Sequence, residues 1–163
     1  MNEEINIKEA AFYKITQWLS DYGFQVNIST KNNNSNAEIQ FEAEVYPSKE
    51  SPMFFYLTFG KDLRDGFSTI ANMDLPEEIQ KAINALVERD EQQIYMDIRK
   101  LVYPLNINCD TRFPRITLHK LIFIDSLKEK QFFFDCVFNL INAMQLISAR
   151  FDETYYSFYS KGG

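Results

Sequence analysis

A strand that runs straight into a long amphipathic helix, Arg115 to Phe151, constrains this chain more than any other stretch. RITLHKLIFI has the apolar content of a strand, Asp125-Ser126 breaks it, and Phe132, Phe133, Cys136, Val137, Leu140, Ile141, Met144 and Ile147 then recur at helical spacing. Ser126 with Glu129 matches the S-x-x-E capping box, which predicts a helix start there. So broad an apolar stripe has to be covered, and a sheet is the surface that covers it.

The rest of the chain supplies the strands. Ala37, Ile39, Phe41, Ala43 and Val45 alternate with Glu38, Gln40, Glu42 and Glu44, the pattern of a sheet with one buried and one solvated face, and hence of an antiparallel sheet. Met53 to Phe59 (MFFYLTF) is apolar on both phases and predicts a central strand. Phe24 to Ser29 reads as a short strand, Thr30 to Asn36 as a turn, and Phe67 to Met73 as a weaker return strand after the turn GKDLRDG. A first helix is expected from about Asn2 or Asn6 to Tyr22, closed by Gly23. A second opens at Asp74-Leu75-Pro76-Glu77-Glu78, breaks or kinks around Arg89 to Glu91, and stops at Tyr103-Pro104. Leu105 to Asp110 is a further strand. In the last strand Ile116, Leu118, Ile122 and Ile124 share a face that Lys120 interrupts, by a bulge or by snorkelling at an edge.

The expected architecture is α+β, in the order α-β-β-β(-β)-α-β-β-α, with three helices on an antiparallel sheet of about five to six strands. Residues 1–153 read as a single domain and 154–163 as an aromatic C-terminal tail. At 163 residues, a chain of this size removes roughly 70% of its unfolded surface from water.

Charge excludes some partners. With 23 acidic against 17 basic residues the formal charge is −6, which opposes nucleic acid and anionic membrane as ligands. No apolar run is read as long enough to span a bilayer, and MNEEINIKEA lacks the features of a secretory signal. Cys109 and Cys136 form no framework spacing and read as reduced thiols, so a cytoplasmic location is expected.

Catalytic motifs are not found. Gly23, Gly60 and Gly66 start no phosphate loop, and a single histidine, His119, excludes sites built on two His ligands; no metal or cofactor is expected. Asp62, Asp65 and Gly66 resemble a calcium loop only in part, and a hairpin turn explains them more simply. The Glu38, Glu42 and Glu44 row reads as a solvated strand face. Arg112, Arg115, His119 and Lys120 form a basic cluster with the chemistry to hold a phosphate or an acidic peptide.

Aromatic residues carry the functional reading. There are 15 Phe and nine Tyr, and a helix cannot turn Phe132, Phe133 and Phe134 all into one core. Phe54, Phe55 and Tyr56 pose the same problem on a strand. Either coverage is fuller than the pattern implies, or an apolar patch binds a partner or a second copy.

The MFFYLTF strand, the LPEEIQKAI helix start and the run ITLHKLIFIDSLKEKQFFFDCVFNLINA carry a resemblance over nearly the whole chain. The order of elements resembles class I type III secretion chaperones and YbjN-type proteins, and the wording is similar to that of a mainly archaeal, uncharacterised family with that chaperone-like fold. The resemblance implies a non-enzymatic binding module, often a homodimer, with no catalytic residue to carry over. The expected function is thus a chaperone-like or adaptor-like protein-binding module that self-associates through an aromatic surface. Its candidate contacts are Phe54, Tyr56, Phe134, Tyr155, Tyr156 and Phe158. The alternative is a small-ligand binder or enzyme centred on Arg115, His119 and Cys109.

Overall fold

The computed structural model describes residues 2–32, 37–86, 88–112 and 114–159, with side chains at 3–153 within those ranges. Among the described residues there are four α-helices: α1 (Asn2–Tyr22), α2 (Glu77–Asn84), α3 (Glu88–Val102) and α4 (Lys130–Tyr159). Six strands, β1 (Gln25–Lys31), β2 (Ile39–Tyr46), β3 (Phe55–Gly60), β4 (Gly66–Asp74), β5 (Asn108–Arg112) and β6 (Arg115–Phe123), form one antiparallel sheet in the order β1-β2-β3-β4-β6-β5. The architecture is α+β, and MFFYLTF supplies an interior strand, as its two apolar phases predict. The backbone forms two compact units, Met1–Ala71 with Lys120–Val137, and Asn72–His119 with Phe138–Gly163.

In the first unit an aromatic core forms because alternate residues of β2 and β3 meet the stripe of α1. Phe41, Ala43, Val45, Phe55, Leu57 and Phe59 are fully buried, as are Phe12, Ile15 and Leu19. Phe12 stacks on Phe41 with ring centres 5.6 Å apart, and Phe59 stacks on Phe67 at 4.7 Å. Burying each such side chain contributes about 1.5–3 kcal/mol, so this cluster outweighs any single polar contact on the surface. Gly23 closes α1 at φ +104, the left-handed region in which a Cβ is costly. Strand β4 is nine residues long, stronger than the sequence pattern implies, because Phe67, Thr69 and Ala71 all turn inward.

In the second unit Ile79 and Ile83 of α2, Ile98 and Val102 of α3, and Leu140, Met144, Ile147 and Phe151 of α4 are buried. The expected second helix is two helices. Its break falls between Asn84 and Glu88, a few residues before the expected one, because Glu88, Asp90 and Glu91 form the acidic first turn of a new helix. That division accounts for four helices where three were expected. Strand β5 starts three residues late: Tyr103–Leu105 is a 3-10 turn, and Asn106 follows at φ 54.

The capping box does not form. Ile124–Lys128 is a 3-10 turn in which the Ser126 hydroxyl donates back to the Phe123 carbonyl at 2.6 Å, leaving it no role at a helix start. Glu129 is extended, and α4 begins at Lys130. Lys120 lies on the inward phase with Ile116, Leu118 and Ile122 and is half-buried, but β6 stands between β4 and β5 and not at the expected edge. The absence of a long apolar run also needs correcting. Lys130–Glu153 is long and apolar enough to cross a membrane by length and composition, yet half of that window is buried inside the protein. Its apolar content therefore has the distribution of a core helix.

Candidate docking face

In the first unit, the phase of β2 and β3 opposite to the core forms a half-buried face. Register sets Glu44 across from Tyr56 and Glu42 across from Thr58, and Ile70 of β4 continues the row beyond Tyr56. The Tyr46 ring stacks on Phe54, 5.2 Å between centres and 28° between planes, while Phe54 meets Tyr56 edge-on at 5.4 Å and 81°. Carboxylates stand among these rings. Glu44 Oε2 accepts a hydrogen bond from the Tyr46 hydroxyl at 3.2 Å, and Glu42 accepts from Ser29 Oγ at 3.2 Å and Thr58 Oγ1 at 3.1 Å. Loss of water, and then the bond to Glu44 and its charge, pushes the Tyr46 hydroxyl above its usual pKa. The expected solvated row of glutamates is thus also a hydrogen-bonded one.

The other candidate rings fall differently. Phe133 and Phe134 are buried, and Phe134 lies 4.8 Å from Tyr22 and 5.5 Å from Phe133, beneath the Lys130 ammonium. The ring of the Phe132–Phe134 run that reaches solvent is Phe132, at 42% exposure. Phe134 is therefore corrected from surface contact to packed ring: in a helix, its neighbour two positions back takes the outward direction. Tyr155, Tyr156 and Phe158 continue α4 in the backbone, and their side chains lie outside the described residues.

Both arginines of the expected basic cluster, in the second unit, have carboxylate partners. Arg115 forks onto Asp74, with Nε to Oδ1 at 2.7 Å and Nη2 to Oδ2 at 3.0 Å, and Arg112 pairs with Asp110 at 3.0 Å. Lys120 stands on the opposite phase of β6 from Arg115 and His119. Cys109 pairs across with Leu118, whereas His119 pairs with Asn108, so the thiol and the imidazole are on opposite faces of the β5–β6 hairpin. Burial drives the Cys109 thiol up to about 11, against the opposing pull of Arg99, and also raises that of Cys136. Neither is a thiolate near neutral pH, and no Cys-His couple forms at this hairpin. A shallow pocket of about 400 Å³ between α3 and α4 contains Asp97, Lys100, Leu146 and Arg150, but its charges pair with one another, Arg150 lying 3.9 Å from Asp97. Among the described residues no group of three metal-ligating side chains is present.

The Asp74–Arg115 fork gives a pH prediction. Arg115 holds the Asp74 carboxyl below its ordinary value of 3.8, so the stability it contributes is present above that value and is lost as pH falls through the lowered one. Both side chains are more than half exposed, which screens the pair to less than about 1 kcal/mol. Urea midpoints of the parent and of Arg115→Met are expected to differ slightly at neutral pH and to converge in strong acid.

The sequence reading overlooked Lys8. Its ammonium is fully buried and reaches Gln40 Oε1 at 3.1 Å, the Gly60 carbonyl at 3.0 Å and Glu4 Oε1 at 3.1 Å. The signal available was its spacing: Lys8 lies three residues after Ile5 and four before Phe12, within the apolar stripe.

A family model described as "Uncharacterized conserved protein (DUF2299)" matches residues 13–151. The fold is also similar to that in a crystal structure of an uncharacterized protein from Methanothermobacter thermautotrophicus, with a TM-score of 0.72 and 18% sequence identity over 89% of this chain and 99% of that chain. At that identity the likeness speaks for the fold alone. Comparison with curated proteins gave no match. The expected uncharacterised family and the archaeal likeness both appear in these matches, and neither match bears a chaperone name.

Proposed function

This chain belongs to the DUF2299 family of uncharacterized conserved proteins, and from that premise we propose that it is a protein-binding module, chaperone-like or adaptor-like, working in the cytoplasm without catalysis of its own. The observation that carries the reading is the half-buried ring row Tyr46, Phe54 and Tyr56, set on the sheet face opposite the core and edged by Glu42 and Glu44. Aromatic rings with polar edges are what protein interfaces concentrate at their centres, because each ring buries a large area at a small cost in rotamer entropy. The partner on this face is a client polypeptide. Cys109 lies on the face of the hairpin opposite Arg115 and His119, and Arg115 is held by Asp74, which gives no comparable support to the enzyme alternative.

A photo-reactive benzoylphenylalanine in place of Tyr56, in the full chain and in its native cells, tests the reading against the same group placed at the exposed Met96 on α3. A polypeptide cross-linked from position 56 and absent from position 96 is the expected result. No adduct at 56, or an adduct with a second copy of the chain, overturns client binding on this face. The homodimer is a separate part of the proposal, and light scattering reads it directly: twice 19.2 kDa is expected, and a single chain mass rejects it.

A further inference from the structure

We infer that the corner formed by Glu44, Tyr46, Phe54 and Tyr56 receives a positively charged side chain, the ammonium of lysine or the guanidinium of arginine, carried on an extended segment of the partner. This rests on the protein-binding reading above and adds the chemistry of the ligand. The ring planes of Phe54 and Tyr56 stand at 81°, so they make a corner rather than a flat stack, and the Tyr46 ring stacks on Phe54. Glu44 is directly across the strand pair from Tyr56, and its carboxylate is held among the rings by the Tyr46 hydroxyl. Aromatic faces carry negative potential, and a carboxylate beside them attracts the same ligand.

Lys14 lies over Trp18 at 4.8 Å and Lys31 over Tyr13 at 4.6 Å, which shows how this unit satisfies rings elsewhere. Among the described residues no lysine or arginine stands over Tyr46 or Phe54, and none forms an ion pair with Glu42 or Glu44. Two carboxylates without a cation, on the sheet face opposite the core of a chain of net charge −6, favour a basic occupant over an acidic or a purely apolar one. The strand geometry fits an extended segment, whose alternate side chains reach down at the spacing of Glu44 and Glu42.

The probe is a capped pentapeptide alternating valine with arginine, compared with its citrulline counterpart, which keeps the shape and loses the charge. Each is titrated into the isotopically labelled full chain and followed by amide shifts in NMR spectra. The arginine peptide is expected to move amides of residues 42–46 and 54–58 saturably. It should weaken with added salt, and lose roughly tenfold in affinity on Glu44→Gln but not on Glu153→Gln. The citrulline peptide is expected to bind at least about tenfold more weakly. Equal binding of the two peptides at these amides overturns the cation while leaving the docking face intact. Arginine-peptide shifts confined to other residues, or none that saturate, also overturn it, and the cross-link from position 56 then decides the protein-binding reading independently.

Discussion

Lys8→Ala is expected to destabilise the protein by about 2–4 kcal/mol, through a buried acceptor that loses its donor and the lost packing of the lysine stem. The three ammonium protons have three acceptors, on Glu4, on Gln40 and on the backbone of Gly60, all at 3.0–3.1 Å, and no part of the residue is exposed. Truncation takes the ammonium away from the Gln40 amide oxygen, in a residue that is 2% exposed, and from the Gly60 carbonyl, which keeps its bond from the Leu63 amide. Each buried group left unsatisfied costs about 1–3 kcal/mol. Glu4 matters less, because its side chain is 43% exposed and regains water, so Glu4→Gln should lose under about 1 kcal/mol. Lys8→Met separates charge from packing: it keeps the apolar stem and removes the desolvated ammonium, and is expected to fall between parent and alanine. Thermal unfolding reads all three, at roughly 2–4 °C per kcal/mol for a chain of this length. A Lys8→Ala protein that melts with its parent would show that this ammonium does not secure α1 to β2 and to the end of β3.

Why Lys8 escaped sequence reading is instructive about the whole chain. Periodicity reports which phase of an element is apolar, and it located α1, the alternation of β2 and the interior place of β3 because Phe12, Phe41 and Phe59 are unambiguous. It assigns a lysine to the solvated phase by type. The three acceptors that permit its burial come from Glu4, Gln40 and Gly60, and the last two are more than thirty residues away, so no local pattern contains them. Gln40 shows the same effect on the strand. Alternation with the apolar residues of β2 predicts the solvated face for Gln40 and the buried one for Ile39, but the register shifts between Ile39 and Phe41, which leaves Ile39 exposed and Gln40 buried against Lys8.

The candidate face was legible in part, and for a related reason. Phe54 and Tyr56 are half-buried on one face because strand alternation is strict, and that much follows from MFFYLTF alone. Tyr46 joins them only through the β2–β3 register, which pairing fixes and sequence does not. On α4 the run Phe132–Phe134 requires one outward ring, and the stripe that takes in Phe132 and Phe133 points to Phe134; packing against Tyr22 and Phe133 buries Phe134 and leaves Phe132 outside. In the basic cluster Asp110, two residues before Arg112, was within local view, whereas Asp74 lies 41 residues before Arg115 and no local pattern contains it.

Gly66→Ala is expected to cost about 1–3 kcal/mol, and Gly66→Val more, for a reason that differs from the usual one for glycine. Gly66 does not have a positive φ, so alanine suits its backbone; what it lacks is space. A Cβ there would lie 2.9 Å from the Ile122 carbonyl oxygen and 3.2 Å from Leu121 Cδ1. The leucine tip can rotate away. The carbonyl cannot, because it belongs to β6, whose end is tied to this turn by the Ile124 amide donating to Asp65 at 2.8 Å, and the Lys120 carbonyl accepts from Thr69 on β4. Relief therefore requires the two strands to separate locally, in a region where Phe67 and Ile122 are buried. Gly23 is the control: it has nothing within 4 Å of its added Cβ but sits at φ +104, so Gly23→Ala loses about 1 kcal/mol through conformation alone, and asparagine restores part of it. At position 66 asparagine should be worse than alanine, because it adds bulk where bulk is the fault. Chemical denaturation of the five variants separates the mechanisms by rank order. If Gly66→Asn instead unfolds at a higher midpoint than Gly66→Ala, backbone conformation rather than strand spacing requires glycine there.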